Sequence, residues 1–112
     1  MKHAEAKEIA KAFIANNPVA VFSKSYCPFC TKAKRLLTEL NVNFKAMELD
    51  VIENGSEIHA AVKEISEQNT VPCIYIGGKR VGGNDDLQHK HRTGELQKAL
   101  RGTDGALLHA EL

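Results

Sequence analysis

Four consecutive apolar residues, Val19-Ala20-Val21-Phe22, constrain the fold more than any other stretch of this chain. A short run rich in β-branched residues, with no polar alternation, suits a strand covered on both faces, as in a parallel sheet between layers of helix. The segments around it agree. Before it, Ile9, Ala10, Phe13 and Ile14 fall on one helical face, and Asn16-Asn17-Pro18 ends the pattern. After it, Ala33, Leu36, Leu37 and Leu40 follow the spacing of an amphipathic helix, with Lys32, Lys34 and Arg35 pointing elsewhere.

Residues 43–49 read as a second strand, interrupted by Lys45 and Glu48. Asn54 and Glu57 have the spacing of a capping box ahead of a helical stripe, Ile58, Ala61, Val62 and Ile65. Thr70-Val71-Pro72 leads into the apolar run Cys73 to Ile76, and Gly77-Gly78 supplies a tight turn into Lys79-Arg80-Val81, which predicts a β-hairpin. Gly82-Gly83 then precedes Asn84-Asp85-Asp86, an N-cap candidate with acids in the first turn. That segment opens a short helix, and another covers 93–100. Residues beyond Gly102 read as a frayed, flexible tail. The order α, β, α, β, α, β, β, α predicts an α/β fold. Its sheet is mixed, with two parallel strands joined by a right-handed helical crossover, an added antiparallel hairpin, and helices on both faces.

Composition narrows the class. With 112 residues, 43% hydrophobic and 26% charged, the chain suits one domain over 1–112, its core spanning about 6–101, that folds without disulfide staples. A net charge of +1 gives no reason to expect a nucleic-acid partner. No apolar run approaches the roughly 18 residues of a spanning helix, so no membrane association is expected. Met1-Lys2-His3 runs into a mixed polar segment with no apolar core of a secretory signal. A monomer in a reducing compartment, the cytoplasm, is the expectation. Three cysteines form a poor basis for a disulfide framework, so a close pair reads as redox or metal chemistry.

That pair is Cys27-Pro28-Phe29-Cys30, between the apolar strand and the basic amphipathic helix. In open α/β sheets, sites lie at the carboxyl ends of the parallel strands, which is where Val19 to Phe22 delivers Cys27. Pro28 suits the first helical position, which puts Cys27 at the N-cap and Cys30 in the first turn. The thiolate is the reactive form of cysteine, and the helix dipole alone lowers a thiol pKa by roughly one unit. Lys24 and Lys32 offer further positive charge, and Thr31 and Cys30 offer hydrogen bonds. Cys27 is therefore expected to be the acidic nucleophile and Cys30 the resolving thiol.

Three motifs in order, Cys27-Pro28-Phe29-Cys30, Thr70-Val71-Pro72 and Gly82-Gly83-Asn84-Asp85-Asp86-Leu87, make the chain resemble a dithiol (class I) glutaredoxin of the thioredoxin-like superfamily over most of its length. Thioredoxins usually carry a Trp-Cys-Gly-Pro-Cys motif, and this chain has no Trp. The resemblance implies a thioredoxin-like fold with a four-stranded sheet and a glutathione-dependent thiol-disulfide oxidoreductase. Such an enzyme reduces protein disulfides and glutathione mixed disulfides. It implies no tightly bound cofactor and no metal, with glutathione or a related dithiol as co-substrate and glutathionylated or disulfide-containing proteins as partners. By residue-wise analogy Lys24 and Gln68 hold the glycine carboxylate, and Thr70, Val71 and Pro72 line the tripeptide backbone. Gly83, Asn84 and Asp85 take the γ-glutamyl end, while Tyr26 and Phe29 flank the sulfur. Pro72 is cis in the superfamily.

The chain departs from the family pattern at three positions. Phe29 replaces the more usual Tyr, Asn69 stands where many members have a basic residue, and Cys73 stands where Asn is frequent. The missing cation at 69 is consistent with weaker binding of plain glutathione or with a less anionic thiol. The simpler readings are a small hydrophobe for Cys73, a solvated charge for Lys24, capping alone for Asn84 and Asp85, backbone geometry alone for Gly82 and Gly83, and surface residues for His89 and His91. Two other function classes compete. One is metal binding, either zinc on Cys27, Cys30, Cys73 and a His, or a [2Fe–2S] cluster bridged by a glutathione-bound dimer. The other is an interaction module without redox turnover.

Overall fold

The computed structural model describes residues 1–108. Five helices and four strands follow one another as α1 (His3–Asn16), β1 (Val19–Ser23), α2 (Pro28–Glu39), β2 (Phe44–Glu48), α3 (Gly55–Ser66), β3 (Cys73–Ile76), β4 (Lys79–Gly82), α4 (Asn84–Thr93) and α5 (Glu95–Arg101). The sheet order is β2-β1-β3-β4. β1 runs parallel to β2 and antiparallel to β3, and β3 and β4 form the hairpin. This is the mixed four-stranded, thioredoxin-like sheet expected. Among the described residues no helix is long and apolar enough to cross a membrane.

All five residues of β1 are buried, because the strand is central in the sheet and covered on both sides. Its alternation sends Val19 and Val21 to one face, where they join Ile74 and Ile76 of β3 and pack against Leu37 of α2 and Leu87 of α4. Ala20 and Phe22 point the other way, with Cys73 and Tyr75, onto Ala6 and Ala10 of α1 and Ile58 and Val62 of α3. Phe22 sits at the centre of an aromatic cluster, its ring 5.3 Å from Phe13 and 6.3 Å from Tyr75. Burying side chains of this size contributes about 1.5 to 3 kcal/mol each, and both faces of β1 gain it. The gain on both faces makes the unbroken apolar run necessary.

Three details depart from the sequence reading. Ile9 stands at the margin of the α1 stripe and is 37% exposed, while Ala6 takes the buried place one turn earlier. Asn54 makes no capping hydrogen bond from its side chain; it adopts the left-handed conformation, φ 60°. Asn tolerates that region better than most residues, and this accounts for it here without a capping box. The expected tail is docked as far as Leu108. Asn43 donates its backbone N–H to the Ala106 carbonyl at 2.7 Å, Leu107 bridges to Val42, and Ala106 is fully buried. Small apolar residues in a polar setting hid this contact from sequence patterning. The last four residues of the expected tail lie outside the described residues.

Candidate active site

The loop after β1 delivers two thiols to the start of α2. Cys27 is the N-cap, with extended backbone (φ −82°, ψ 119°), and Pro28 is the first helical residue. The Cys27 carbonyl accepts the N–H of Thr31 at 3.0 Å and the Thr31 hydroxyl at 3.2 Å, which closes the first turn. The loop is pinned from the turn after β2. Asp50 accepts the Ser25 amide at 2.9 Å and also the Ser25 hydroxyl, and these bonds hold its carboxyl below its ordinary value. Two exposed aromatics, Tyr26 and Phe29, flank the partly exposed Cys27, while Cys30 is fully buried.

The electrostatics separate the two thiols. Partial burial pushes Cys27 up, but the backbone N–H and thiol of Cys30, the N–H of Phe29 and the Lys34 ammonium together outweigh it, so its pKa lies below the ordinary value. Burial pushes Cys30 up, and the neighbouring Cys27 sulfur adds to the effect. The exposed thiol is the acidic one, as a nucleophile requires. Cys30 supplies hydrogen bonds as expected, but Phe29 stands in place of Thr31, whose hydroxyl bonds the Cys27 carbonyl instead, and the cation is also different. Lys34, half-buried and paired with Glu48 of β2 at 2.8 Å, takes the place expected of Lys24 and Lys32. Lys24 acts on Asp50 and His59, and Lys32 lies over the Phe29 ring at 5.5 Å. The helical stripe of α2 had set Lys34 aside as solvent-facing. Only the pairing of β2 beside β1 brings Glu48 within its reach.

Alkylation should show this asymmetry. The iodoacetamide reaction of Cys27 is expected to rise with pH through a midpoint below the roughly 8.5 of a free thiol, while Cys30 stays protonated and slow. The sign of the stability linkage follows, since a lowered pKa means that the Cys27 thiolate favours the folded reduced state. That contribution is present above the unfolded-state value and is lost as pH falls through the folded one. A Cys27 midpoint at or above that of a free thiol would contradict the assignment.

The second motif lies directly across from Cys27. The Val71–Pro72 peptide bond is cis, and the Val71 carbonyl stands 3.9 Å from the Cys27 sulfur. Gln68 braces this loop from behind, donating its side-chain amide to the Thr70 carbonyl at 3.0 Å and the Pro72 carbonyl at 2.8 Å. Its amide oxygen accepts Arg80 Nη1 at 2.8 Å. The Gln68 side chain is thus committed to the protein itself.

The third motif closes the far side. Gly83, not Asn84, is the N-cap of α4, and its N–H donates to the Asp86 carboxylate at 3.0 Å. Having no side chain, Gly83 makes only this half of a capping box. Asn84 is the first helical residue, nearly buried, its amide oxygen accepting Gln88 Nε2 at 3.2 Å. Gly82 has φ +120°, and a Cβ there would stand 2.2 Å from the Asp86 carboxylate, so glycine is required both by conformation and by the cap.

Between these elements runs a groove of about 420 Å³. Gln68, Thr70, Val71 and Pro72 form one wall, and Gly83, Asn84 and Asp85 form the other, with Phe29 at the thiol end. Eight of the ten residues expected around glutathione, Phe29 included, therefore meet here. Lys24 instead lines a neighbouring hollow of about 320 Å³ with Asp50, Glu57 and His59, and Tyr26 projects from the thiol loop, 71% exposed. Arg80 and Asp86 line the groove too, although in the sequence Arg80 stands out only as part of a hairpin. Cys73 is fully buried beneath the α1/α3 face, as a core residue. Among the described residues no three His, Cys, Asp or Glu side chains converge as a metal site requires.

Comparison with known proteins agrees with this geometry. The Glutaredoxin family model matches residues 19–81, from β1 through most of the hairpin. A glutaredoxin of Solanum lycopersicum is 52% identical over 100 residues, covering 89% of this chain and 89% of that protein. Glutaredoxin-2 of Schizosaccharomyces pombe is 51% identical over 96 residues, covering 82% of this chain and 87% of that protein. The solved structure of a buckwheat glutaredoxin–glutathione complex superposes with a TM-score of 0.89 at 36% identity, covering 93% of this chain and 94% of that one. With two thiols of opposed acidity at one helix start and a groove beside them, the chain belongs to the glutaredoxin family of thiol-disulfide oxidoreductases.

Proposed function

We propose that the protein reduces glutathione mixed disulfides and protein disulfides, with Cys27 as nucleophile, Cys30 as resolving thiol and glutathione as electron donor. The observation that carries this reading is the acidic, partly exposed Cys27 sulfur facing the Val71 carbonyl at the head of a groove of tripeptide size. The Cys27 thiolate attacks the glutathione sulfur of a mixed disulfide. A Cys27–glutathione disulfide forms, and the substrate protein leaves as its thiol after taking a proton. A second glutathione thiolate then attacks the glutathione sulfur of this adduct, which releases oxidised glutathione and restores the Cys27 thiolate. With protein disulfides, Cys27 forms a mixed disulfide that Cys30 displaces, leaving a Cys27–Cys30 disulfide that two glutathione molecules reduce.

The tripeptide lies along the Thr70-Val71-Pro72 edge, its backbone pairing with Val71. Gly83, Asn84 and Asp85 receive the γ-glutamyl end, and Lys24 reaches the glycine carboxylate from the adjoining hollow. Gln68 acts indirectly, by fixing the carbonyls of Thr70 and Pro72. Cytoplasmic action as a monomer, without a tightly bound cofactor, completes the proposal. The test is turnover of a peptide–glutathione mixed disulfide by the purified protein, with glutathione and dithiol donors in competition, beside iron analysis of anaerobically prepared protein. Turnover with glutathione, in protein lacking iron, is the expected result. An iron-loaded, coloured dimer without turnover would replace it with cluster binding.

A further inference from the structure

Ser23 ends β1 with a hydroxyl that the fold leaves without a partner. The four residues before it are apolar, and the alternation that turns Val19 and Val21 toward α2 turns Ser23 the same way, under the helix start that carries Cys30. Ser23 is fully buried, and its Oγ makes no hydrogen bond among the described residues. Its backbone is satisfied, since the Ser23 carbonyl accepts the Leu49 N–H at 2.8 Å. A buried, unbonded hydroxyl carries a desolvation cost that alanine would not, so its presence calls for a role.

The nearest reacting atom supplies one. The fully buried Cys30 sulfur lies against the end of β1, where the Lys24 N–H and the Ser23 hydroxyl are the groups that oppose the effect of burial on its ionisation. In the reduced protein Cys30 is a thiol, a weak acceptor. Once it ionises, the sulfur becomes an anion out of reach of water, and a hydroxyl free to rotate can turn to it and make a charge-assisted hydrogen bond. We propose that Ser23 is the hydrogen-bond donor for the resolving thiolate: with the Lys24 N–H it holds the negative charge on Cys30 while that sulfur attacks the Cys27 mixed disulfide. The inference rests on the reading of Cys27 and Cys30 as a redox pair. In that step the Cys30 sulfur bonds to the Cys27 sulfur, the bond from Cys27 to the substrate sulfur breaks, and the Cys30 proton ends on the departing substrate thiol. A donor already in place where charge develops accelerates it. The other ionisable groups near the pair are Cys27 and Lys34 of α2 and Glu48 of β2, which stands beside Ser23 in register and pairs with Lys34. From α4 the apolar Leu87 faces this side of the sheet.

The test follows the absorbance of thionitrobenzoate when the reduced protein meets a stoichiometric amount of Ellman's reagent. The first phase is attack by Cys27, and the second is attack of Cys30 on the Cys27 adduct. Ser23→Ala is expected to slow the second phase by about tenfold near neutral pH and to raise the midpoint of its pH profile, with no comparable loss in the first phase or in the urea unfolding midpoint. Ser23→Thr, which keeps the hydroxyl, should restore the pH midpoint. An unchanged second phase in Ser23→Ala overturns the proposal, and so does equal slowing of both phases with a lower urea midpoint, the sign of a merely structural hydroxyl. Absence of any first phase in the original protein would instead refute the redox reading of Cys27.

Discussion

Cys27→Ser is expected to lower deglutathionylation by at least about a thousandfold, to the rate of the uncatalysed exchange. The hydroxyl that replaces the thiol is not ionised near neutral pH, so neither the hydrogen bonds from the Cys30 and Phe29 amides nor the Lys34 charge have an anion to hold. Cys30 cannot substitute, since it is fully buried and its pKa is raised. The partner variant, Cys30→Ser, should keep glutathione mixed disulfide turnover within about tenfold, because glutathione itself resolves the adduct. Protein disulfide reduction should fall much further in that variant. Assays of both substrates on both variants check the pair, and full activity in Cys27→Ser would remove the nucleophile from this account.

The largest stability effect is expected at Gly55, the first residue of α3. A Cβ there would lie 1.8 Å from the Leu49 carbonyl oxygen and 2.8 Å from its carbon, where no side-chain rotation can relieve the overlap. The start of α3 would have to move away from the end of β2. Gly55→Ala should therefore cost about 3 kcal/mol or more, a fall in Tm of roughly 10 to 20 °C. Gly78→Ala is the control. Its backbone has φ +81° in the hairpin turn, but nothing lies within 4 Å of the added methyl, so only the conformational penalty of about 1 to 2 kcal/mol remains. Urea unfolding of the two variants separates steric approach from backbone strain. A Gly55→Ala midpoint equal to that of the original protein would contradict the close contact.

The two cases differ in what could be read before the structure. Gly77-Gly78 between apolar and basic runs identified its own turn, because a two-residue hairpin needs positive φ at both positions, and the structure has +58° and +81° there. Gly55 gave no such signal. Its role depends on the distance to a carbonyl at the end of another element, and the Asn54/Glu57 spacing suggested a capping box that the left-handed Asn54 does not make. The thiol pair behaved in the same divided way. Pro28 and the preceding strand sufficed to locate Cys27 at a helix start, but the lysine beside it is Lys34, through the α2–β2 packing that also pairs it with Glu48. Gln68, expected as a ligand, lines the groove with its amide bonded to the Thr70 and Pro72 carbonyls, and the cation it holds, Arg80, comes from a strand 12 residues further along the chain.

Sequence by itself determined the layer order, the central buried strand, the hairpin and the place of the close thiol pair at a helix start, because each depends on periodicity or on residues adjacent in the chain. Tertiary structure alone decided which charges surround Cys27, which side chains wall the groove, and where residues 106–108 pack. Those depend on contacts between residues far apart in the chain, which no one-dimensional pattern records.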